Sequence, residues 1–139
     1  MTIQEIQQEI IDEFSFFEDW QQKYEYLIEL GRSLKPLSKA EKTPDKLIKG
    51  CQSNVWLKAK MNGDKIVFEA DSDAILPKGI AALLVRLYSN QKPEEIIASN
   101  EQFLYEIGLQ EFLSPTRANG TLTMIKQIKL YAIALKVKQ

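Results

Sequence analysis

The sequence predicts an α+β domain in which a small antiparallel three-stranded sheet packs against several helices. Apolar residues recur at helical spacing near the start and again in the second half, whereas strict alternation occurs only in the middle of the chain. Asn62-Gly63 separates two alternating runs, and this dipeptide is typical of a tight hairpin turn. Strands joined so closely must be antiparallel, because a parallel pair needs a long crossover. The 139 residues suffice for one domain, 1–139, with a real core.

Two helices are predicted at the start of the chain. Thr2 followed by Glu5 has the form of a capping box, and Asp19 can cap a second helix that ends near Gly31. The apolar face of each helix follows from the helical period. These faces are Ile3, Ile6, Ile10, Phe14 and Phe17 in the first helix, and Trp20, Tyr24, Leu27 and Ile28 in the second.

The strands follow an irregular surface connection from Lys35 to Lys46, which is rich in charges and holds two prolines. Leu47-Ile48 is expected to add a third strand on the far side of the turn that holds the cysteine. The two main strands are recognised by their alternating apolar positions. These are Val55, Leu57, Ala59 and Met61 on the first strand, and Ile66, Phe68 and Ala70 on the second.

The segment after the sheet predicts a buried central helix. Asp71-Ser72-Asp73 ends the second strand and is expected to supply helix caps. Ile75 to Ser89 is apolar almost all round, which is typical of a helix surrounded by other elements. Pro77 falls near the start of this helix, where its missing N–H costs little.

The C-terminal part is predicted to be helical as well. Lys92-Pro93 opens one short helix, and Asn100 can cap another that stops at Gly108. Leu113 to Gly120 is expected to form a loop, with the last helix beginning at Thr121. The apolar face of that helix is predicted to hold Leu122, Ile125, Ile128, Ala132 and Leu135.

Charge and hydropathy limit the partners of this chain. The net charge is −1, so no basic field favours nucleic-acid binding. No apolar run is long enough to span a bilayer, so we expect no membrane partner. The acidic, periodic start resembles neither a signal peptide nor a transit peptide, and a cytoplasmic location is expected.

The chain has one cysteine and no histidine. One thiol makes no internal disulfide, no cysteine-rich zinc site and no iron–sulfur ligand set. The lack of histidine removes Ser-His-Asp triads and Cys-His pairs. Any chemistry must use the thiol, carboxylates, lysine, arginine or tyrosine.

Three residues are candidates for that chemistry, and each has a structural alternative. Cys51 follows Gly50 at an expected turn, where functional groups concentrate, although a free cysteine is also a common small core residue. Asp73 could cap a helix or place a carboxylate near the thiol. Arg117 could brace a loop through a salt bridge, or hold an anion or a thiolate.

Four segments resemble the SufE family of cysteine desulfuration proteins, in order and over nearly the full chain. These segments are WQQKYEYLIELG at Trp20 to Gly31, GCQSNVW at Gly50 to Trp56, DSDAILPKG at Asp71 to Gly79, and LSPTRANG at Leu113 to Gly120. The departures from the family pattern are Leu76, Pro77 and Thr116, and the last keeps the usual hydroxyl.

The resemblance implies a SufE/NifU-like fold and a sulfur carrier. The position of Cys51 matches the family's sulfur-accepting cysteine. Such proteins take persulfide sulfur from a pyridoxal-phosphate cysteine desulfurase of the SufS or CsdA type and stimulate that enzyme. The sulfur then passes to an iron–sulfur scaffold such as a SufBCD-like complex. This implies an accessory protein rather than an enzyme, with no bound cofactor or metal, and with supporting roles for Arg117 and Asp73.

Two alternatives use the same cysteine differently. In a redox sensor or thiol peroxidase, Cys51 would be oxidised to a sulfenic acid, although the sequence offers no resolving cysteine. In a pure interaction module, the thiol would simply be buried. The sequence also leaves open a homodimer and the identity of the desulfurase.

Overall fold

The computed structural model describes residues 1–51, 53–109 and 115–138, and the side chains of residues 115–117 lie outside that description. The described residues form helices on one side of a β-hairpin, which confirms the α+β class. Short 3-10 turns at Lys39–Glu41 and Pro44–Lys46 precede the sheet. The elements are α1 (Ile3–Ser15), α2 (Trp20–Ser33), β1 (Val55–Asn62), β2 (Lys65–Ser72), α3 (Ile75–Tyr88), α4 (Pro93–Ala98), α5 (Gln102–Glu106) and α6 (Pro115–Val137).

The first two helices begin where the sequence predicts. Thr2 and Glu5 exchange hydrogen bonds: the Glu5 N–H donates to Thr2 Oγ1 at 3.1 Å, and the Thr2 N–H donates to Glu5 Oε1 at 2.9 Å. Asp19 Oδ1 accepts from the Gln22 N–H at 2.9 Å and so caps α2. The prediction for Trp20 is wrong, since this first residue of α2 is 61% exposed. Its ring contacts only the edge of Tyr24 among the described aromatic rings.

Helix α3 is the centre of the molecule, as its sequence predicts. Nine of its residues are buried, and it packs against α2, β2 and α6. It meets α2 very closely at Gly79, where an added Cβ would lie 2.1 Å from the carbonyl oxygen of Leu27. Only glycine allows that approach, which brings α2 against the first turns of α3.

The sheet contains two strands in the described residues, not the predicted three. β1 and β2 pair antiparallel from Val55 opposite Ser72 to Asn62 opposite Lys65, so the hairpin is confirmed. Gly63 has φ of +66°, a conformation that favours glycine.

The expected third strand at Leu47-Ile48 is reduced to a single bridge. Leu47 pairs with Trp56, and the Ile48 N–H donates to the Val55 carbonyl at 2.8 Å. A 3-10 turn ends immediately before Leu47, and Gly50 turns the chain away just after it with φ of +93°. The extended segment between these two turns is too short to make a ladder.

Helix α6 begins earlier than the sequence predicts. The expected loop from Leu113 to Gly120 is helical from Pro115 onward, while Leu113 and Ser114 lie outside the described residues. Proline suits the first turn of a helix, where its missing N–H loses no hydrogen bond.

The predicted position of Leu122 on the buried face of α6 is also wrong, because Leu122 is 39% exposed. The buried positions Thr121, Ile125, Ile128 and Ala132 follow the spacing i, i+4, i+7 and i+11. This spacing turns Leu122 outward.

One connected apolar cluster joins α1, α2, α3, α6 and the inner face of the hairpin. Because they share this cluster, the helices and the hairpin provide a fixed frame for the loop that carries the cysteine.

Within the described residues, no helix combines the length and apolar character needed to cross a membrane.

Candidate functional site at Cys51

Cys51 lies in the loop that joins the short extended segment Leu47-Ile48 to β1, and its side chain is partly buried. Gly50 precedes it with φ of +93°, and a Cβ added there would lie 3.4 Å from Cγ2 of Thr123 on α6. The positive φ favours glycine, whereas the Thr123 methyl group lies at ordinary van der Waals distance. Gly50 therefore turns the chain so that the cysteine lies beside α6.

The thiol of Cys51 faces the first turns of α6. Its Sγ lies 3.8 Å from the carbonyl oxygen of Gly120, which accepts the S–H. Burial raises the pKa of the Cys51 thiol, and no charge among the described residues opposes this rise. The thiol is therefore protonated at neutral pH in this conformation.

An apolar pocket of about 400 Å³ adjoins the thiol. Its walls come from four elements, because α2, β1, α3 and α6 converge beside the cysteine loop. Ser53 and the Gly120 backbone contribute to an otherwise mainly aliphatic lining. The aliphatic side chains of this lining include Ile28, Val55, Ile75, Leu76, Ile80 and Met124.

Asp73 fixes the loop on the β1 side of the cysteine. The Asn54 N–H donates to Asp73 Oδ1 at 3.1 Å, and Asn54 Nδ2 donates to Oδ2 at 2.8 Å. The Asn54 carbonyl accepts from the Asp73 N–H at 3.2 Å and from Ser72 Oγ at 2.8 Å. The prediction that these acidic and hydroxyl residues cap α3 is wrong, because Ala74 is its N-cap residue and has no side-chain cap. Asp73 instead anchors Asn54, three residues after Cys51.

Asp71 anchors the connection that follows α2 to the same end of the hairpin. Its side chain is buried and lies 3.2 Å from Lys42 Nζ and 3.5 Å from Lys78 Nζ. Burial alone would raise the pKa of this carboxyl. Hydrogen bonds from the Ser72 N–H, Lys42 and the Leu37 N–H, together with the Lys78 charge, lower the pKa overall. Asp71 thus joins the connection after α2 to the base of the cysteine loop.

The third candidate, Arg117, lies in the first turn of α6, on the same helix as Gly120. Its side chain is outside the described residues, so its action on the thiolate stays a prediction. Within the described part of the chain, no three His, Cys, Asp or Glu side chains cluster as a metal site would require.

Sequence reasoning misses the groups that surround the thiol. The Gly120 carbonyl comes from a helical turn in a segment that the sequence predicts to be a loop. Asn54 carries no signal beyond its place next to the cysteine segment. The pocket depends on four elements meeting, which local patterns do not predict.

The β-hairpin packed against helices, with one partly buried thiol at an apolar pocket, defines a small α+β protein whose candidate site holds a single cysteine. The residues from 8 to 132 match the family model described as "SufE: Fe-S metabolism associated domain". The chain belongs to the SufE family, which confirms the resemblance and associates it with iron–sulfur metabolism.

Curated relatives agree with this assignment. An uncharacterized SufE-like protein of Rhizobium etli is 40% identical over 126 residues, covering 87% of this chain and 85% of the relative. Another from Rhizobium meliloti is 36% identical, with 87% and 90% coverage. SufE-like protein 1, chloroplastic/mitochondrial, of Arabidopsis thaliana is 41% identical over 94% of this chain, which matches 36% of that longer protein.

A solved structure shares the fold. The solution structure of a hypothetical protein from Thermus thermophilus superposes with a TM-score of 0.78, covering 93% of this chain and 94% of that one. At 18% identity, this likeness concerns the fold alone.

Proposed function

We propose that this protein is a sulfur carrier in which Cys51 accepts sulfur from a cysteine desulfurase and delivers it to iron–sulfur cluster assembly. The observation that carries this proposal is the pocket of about 400 Å³ beside a partly buried thiol. A persulfide needs room for one further sulfur atom and shelter from reductants in water. The pocket offers the room, its mainly aliphatic lining offers partial shelter, and SufE family membership supplies the metabolic context.

The donor is a persulfide on a pyridoxal-phosphate cysteine desulfurase of the SufS or CsdA type. The Cys51 thiolate attacks the outer sulfur of that persulfide and forms a new S–S bond. The S–S bond of the donor breaks, and its electron pair leaves with the desulfurase cysteine, which then takes up a proton. This exchange resembles thiol–disulfide exchange and needs no external oxidant.

The step requires Cys51 to leave its resting position. In the pocket its pKa is raised by burial and its S–H meets the Gly120 carbonyl, so the thiolate that must attack is disfavoured. Movement about Gly50 would bring the thiol to the partner and into a more polar environment. The return movement would carry the persulfide into the apolar pocket.

The supporting residues have different roles in this proposal. Asp73 anchors Asn54 and so limits the movement to a few residues around Cys51. Arg117 stabilises the thiolate once Cys51 leaves the pocket, because a guanidinium stays charged and offers several donors. Clearing the persulfide from the desulfurase would stimulate its turnover, and a SufBCD-like scaffold would receive the sulfur.

The absence of a second cysteine anywhere in the chain supports the carrier over the alternatives. A neighbouring thiol would discharge the persulfide as an internal disulfide. A peroxide sensor of this kind would have no resolving cysteine in this chain, because Cys51 is its only cysteine. A pure interaction module gives no reason for the pocket beside the thiol. The expected cytoplasmic location stays a prediction.

A desulfurase turnover assay tests the function. Alanine formation from free cysteine is measured for a SufS-type and a CsdA-type desulfurase with the wild-type chain, with Cys51→Ser, and alone. The proposal expects the wild-type chain to accelerate at least one enzyme several-fold, and Cys51→Ser to lose that acceleration. Equal acceleration by both forms would refute the assigned role of Cys51.

A further inference from the structure

Helix α6 carries large aliphatic residues on the face opposite the core. Its inner face packs into the molecule through Ile125, Ile128 and Ala132, which are buried. The aliphatic residues of its outer face remain in contact with water in the described structure. These residues are Leu122 (39% exposed), Leu130 (48%), Ile133 (47%) and Val137 (80%).

The outer residues form a narrow line, which we call the α6 seam and define as Leu122, Lys126, Leu130, Ile133 and Val137. Their spacings of four, four, three and four residues follow the pattern by which one helix packs along another. Over 15 residues the seam is about 22 Å long at 1.5 Å per residue. A helix apolar on both sides is normally covered on both sides.

The charged residues of α6 itself have one sign. Residues 115–138 contain five basic residues and no acidic one, whereas the whole chain has a net charge of −1. The rest of the chain therefore carries −6. Lys129 is engaged with Glu101 at 3.2 Å and with the Ser99 carbonyl. In the described structure, Lys126, Lys136 and Lys138 make no ion pair.

We infer that the α6 seam is a docking site for an acidic amphipathic helix of another protein. Aliphatic side chains of the partner would pack against Leu130 and Ile133, and its flanking carboxylates would meet Lys126 and Lys136. The spacing of four and three residues makes a narrow apolar strip, which suits packing against a single helix. A membrane-bound helix has a wider apolar face.

A second copy of this chain fits less well than an acidic partner. A symmetric pair would place two α6 helices together, and the seams would bring only basic residues to the same interface. Binding at the seam goes beyond the proposed sulfur transfer, since none of its residues lines the cysteine pocket.

The test uses the full chain and two synthetic helical peptides of three heptads. Both carry leucine at the two positions of each heptad that would face α6. Glutamate flanks these leucines in one peptide, and lysine flanks them in the other. Fluorescence anisotropy of the labelled peptides is expected to show at least tenfold tighter binding of the glutamate peptide, with affinity that falls as salt rises.

Two sets of variants locate the binding. Leu130→Glu combined with Ile133→Glu is expected to weaken binding of the glutamate peptide at least tenfold. Phe16→Glu is the matched control, because Phe16 is 82% exposed outside α6. Lys126→Glu is expected to reduce the difference in affinity between the glutamate peptide and the lysine peptide. This substitution alters no buried apolar residue. Cys51→Ser is expected to bind like the wild type, so this result does not depend on sulfur transfer.

Several outcomes would overturn the inference. One is equal affinity for the two peptides, and another is unchanged binding by the double variant. A dimer that light scattering detects and the double variant breaks would mean that a second copy covers the seam. Binding to phosphatidylglycerol vesicles that the double variant loses, without selective binding of the glutamate peptide, would assign the seam to a lipid surface.

Discussion

Cys51 Sγ lies 3.8 Å from the carbonyl oxygen of Gly120, so the thiol rests against an acceptor that favours its protonated form. The two residues are 69 positions apart in sequence, and the contact joins the cysteine loop to α6. Together with burial, this contact describes a resting cysteine rather than a cysteine poised for attack.

The titration of Cys51 should occur above the range of an ordinary thiol. Burial raises its folded pKa, whereas an exposed cysteine titrates near a pKa of about 8.5. Alkylation by a small uncharged reagent, followed from about pH 6 to pH 10.5, should give a midpoint above that of the urea-unfolded chain. Because the folded pKa is raised, the stability linked to this proton is fully present below the unfolded pKa and is lost as pH rises from the unfolded pKa through the folded pKa. A folded midpoint at or below the unfolded one would contradict this.

Loss of the Asp73 carboxylate should expose Cys51. Asp73→Ala removes both acceptors used by Asn54 and is expected to increase the alkylation rate several-fold at fixed pH. Asp73→Asn keeps one acceptor oxygen and should give a smaller increase. Asp64→Asn is the matched control, since Asp64 lies in the hairpin turn at the other end of the sheet. If Asp73→Ala leaves the rate at the control value, the loop is not held by this residue.

Gly79→Ala should destabilise the protein strongly. Its new Cβ would meet the Leu27 carbonyl oxygen at 2.1 Å, so α2 and α3 would have to separate. We expect a loss of roughly 3 kcal/mol in the free energy of unfolding, at the upper end of typical overpacking costs. Urea unfolding measures this loss. Gly120→Ala is the control, because its Cβ would meet Cys51 Sγ at an ordinary 3.8 Å, and equal losses would contradict the close crossing.

Asp71 should make the stability depend on pH. Its folded pKa is lowered from the unfolded value, near about 3.9, so its contribution is present above that value and is lost as pH falls through the folded pKa. Asp71→Asn should lower the free energy of unfolding at neutral pH by about 2 kcal/mol, because Lys42 and Lys78 lose a buried partner. In urea titrations, the free energy of unfolding of this variant should also fall less steeply than that of the wild type between about pH 5 and pH 2.5. An unchanged acid decline in this variant would show that other carboxyls cause it.

Local chemistry makes part of the fold predictable. Thr2 with Glu5, Asp19 and the hairpin at Asn62-Gly63 act within a few residues, so their patterns suffice to locate them. Positions that depend on distant partners are not predictable in this way. The exposure of Trp20 and Leu122 depends on where neighbouring helices pack, and the third strand fails because two turns shorten it to one bridge.

The sequence locates two members of the candidate site, Cys51 and Asp73, but not the contacts that they make. The segment around Cys51 identifies the cysteine, while its environment comes from a helix that starts at Pro115 instead of Thr121. The sequence places Asp73 near the loop, but its bonds to Asn54 follow from the pairing register that sets Val55 opposite Ser72. The pairing register of two strands decides which distant side chains meet. Local sequence patterns do not specify that register.

Intact mass spectrometry after incubation with a cysteine desulfurase and free cysteine, without reductant, tests the central claim most directly. The account predicts a product heavier by one sulfur atom, located on Cys51, reversed by a thiol reductant and absent in Cys51→Ser. The desulfurase and free cysteine should suffice, since the sulfur exchange needs no added oxidant. If the chain gains no sulfur from either a SufS-type or a CsdA-type enzyme, although its thiol still reacts with an alkylating reagent, then Cys51 is not a sulfur acceptor for these desulfurases, which would contradict the account.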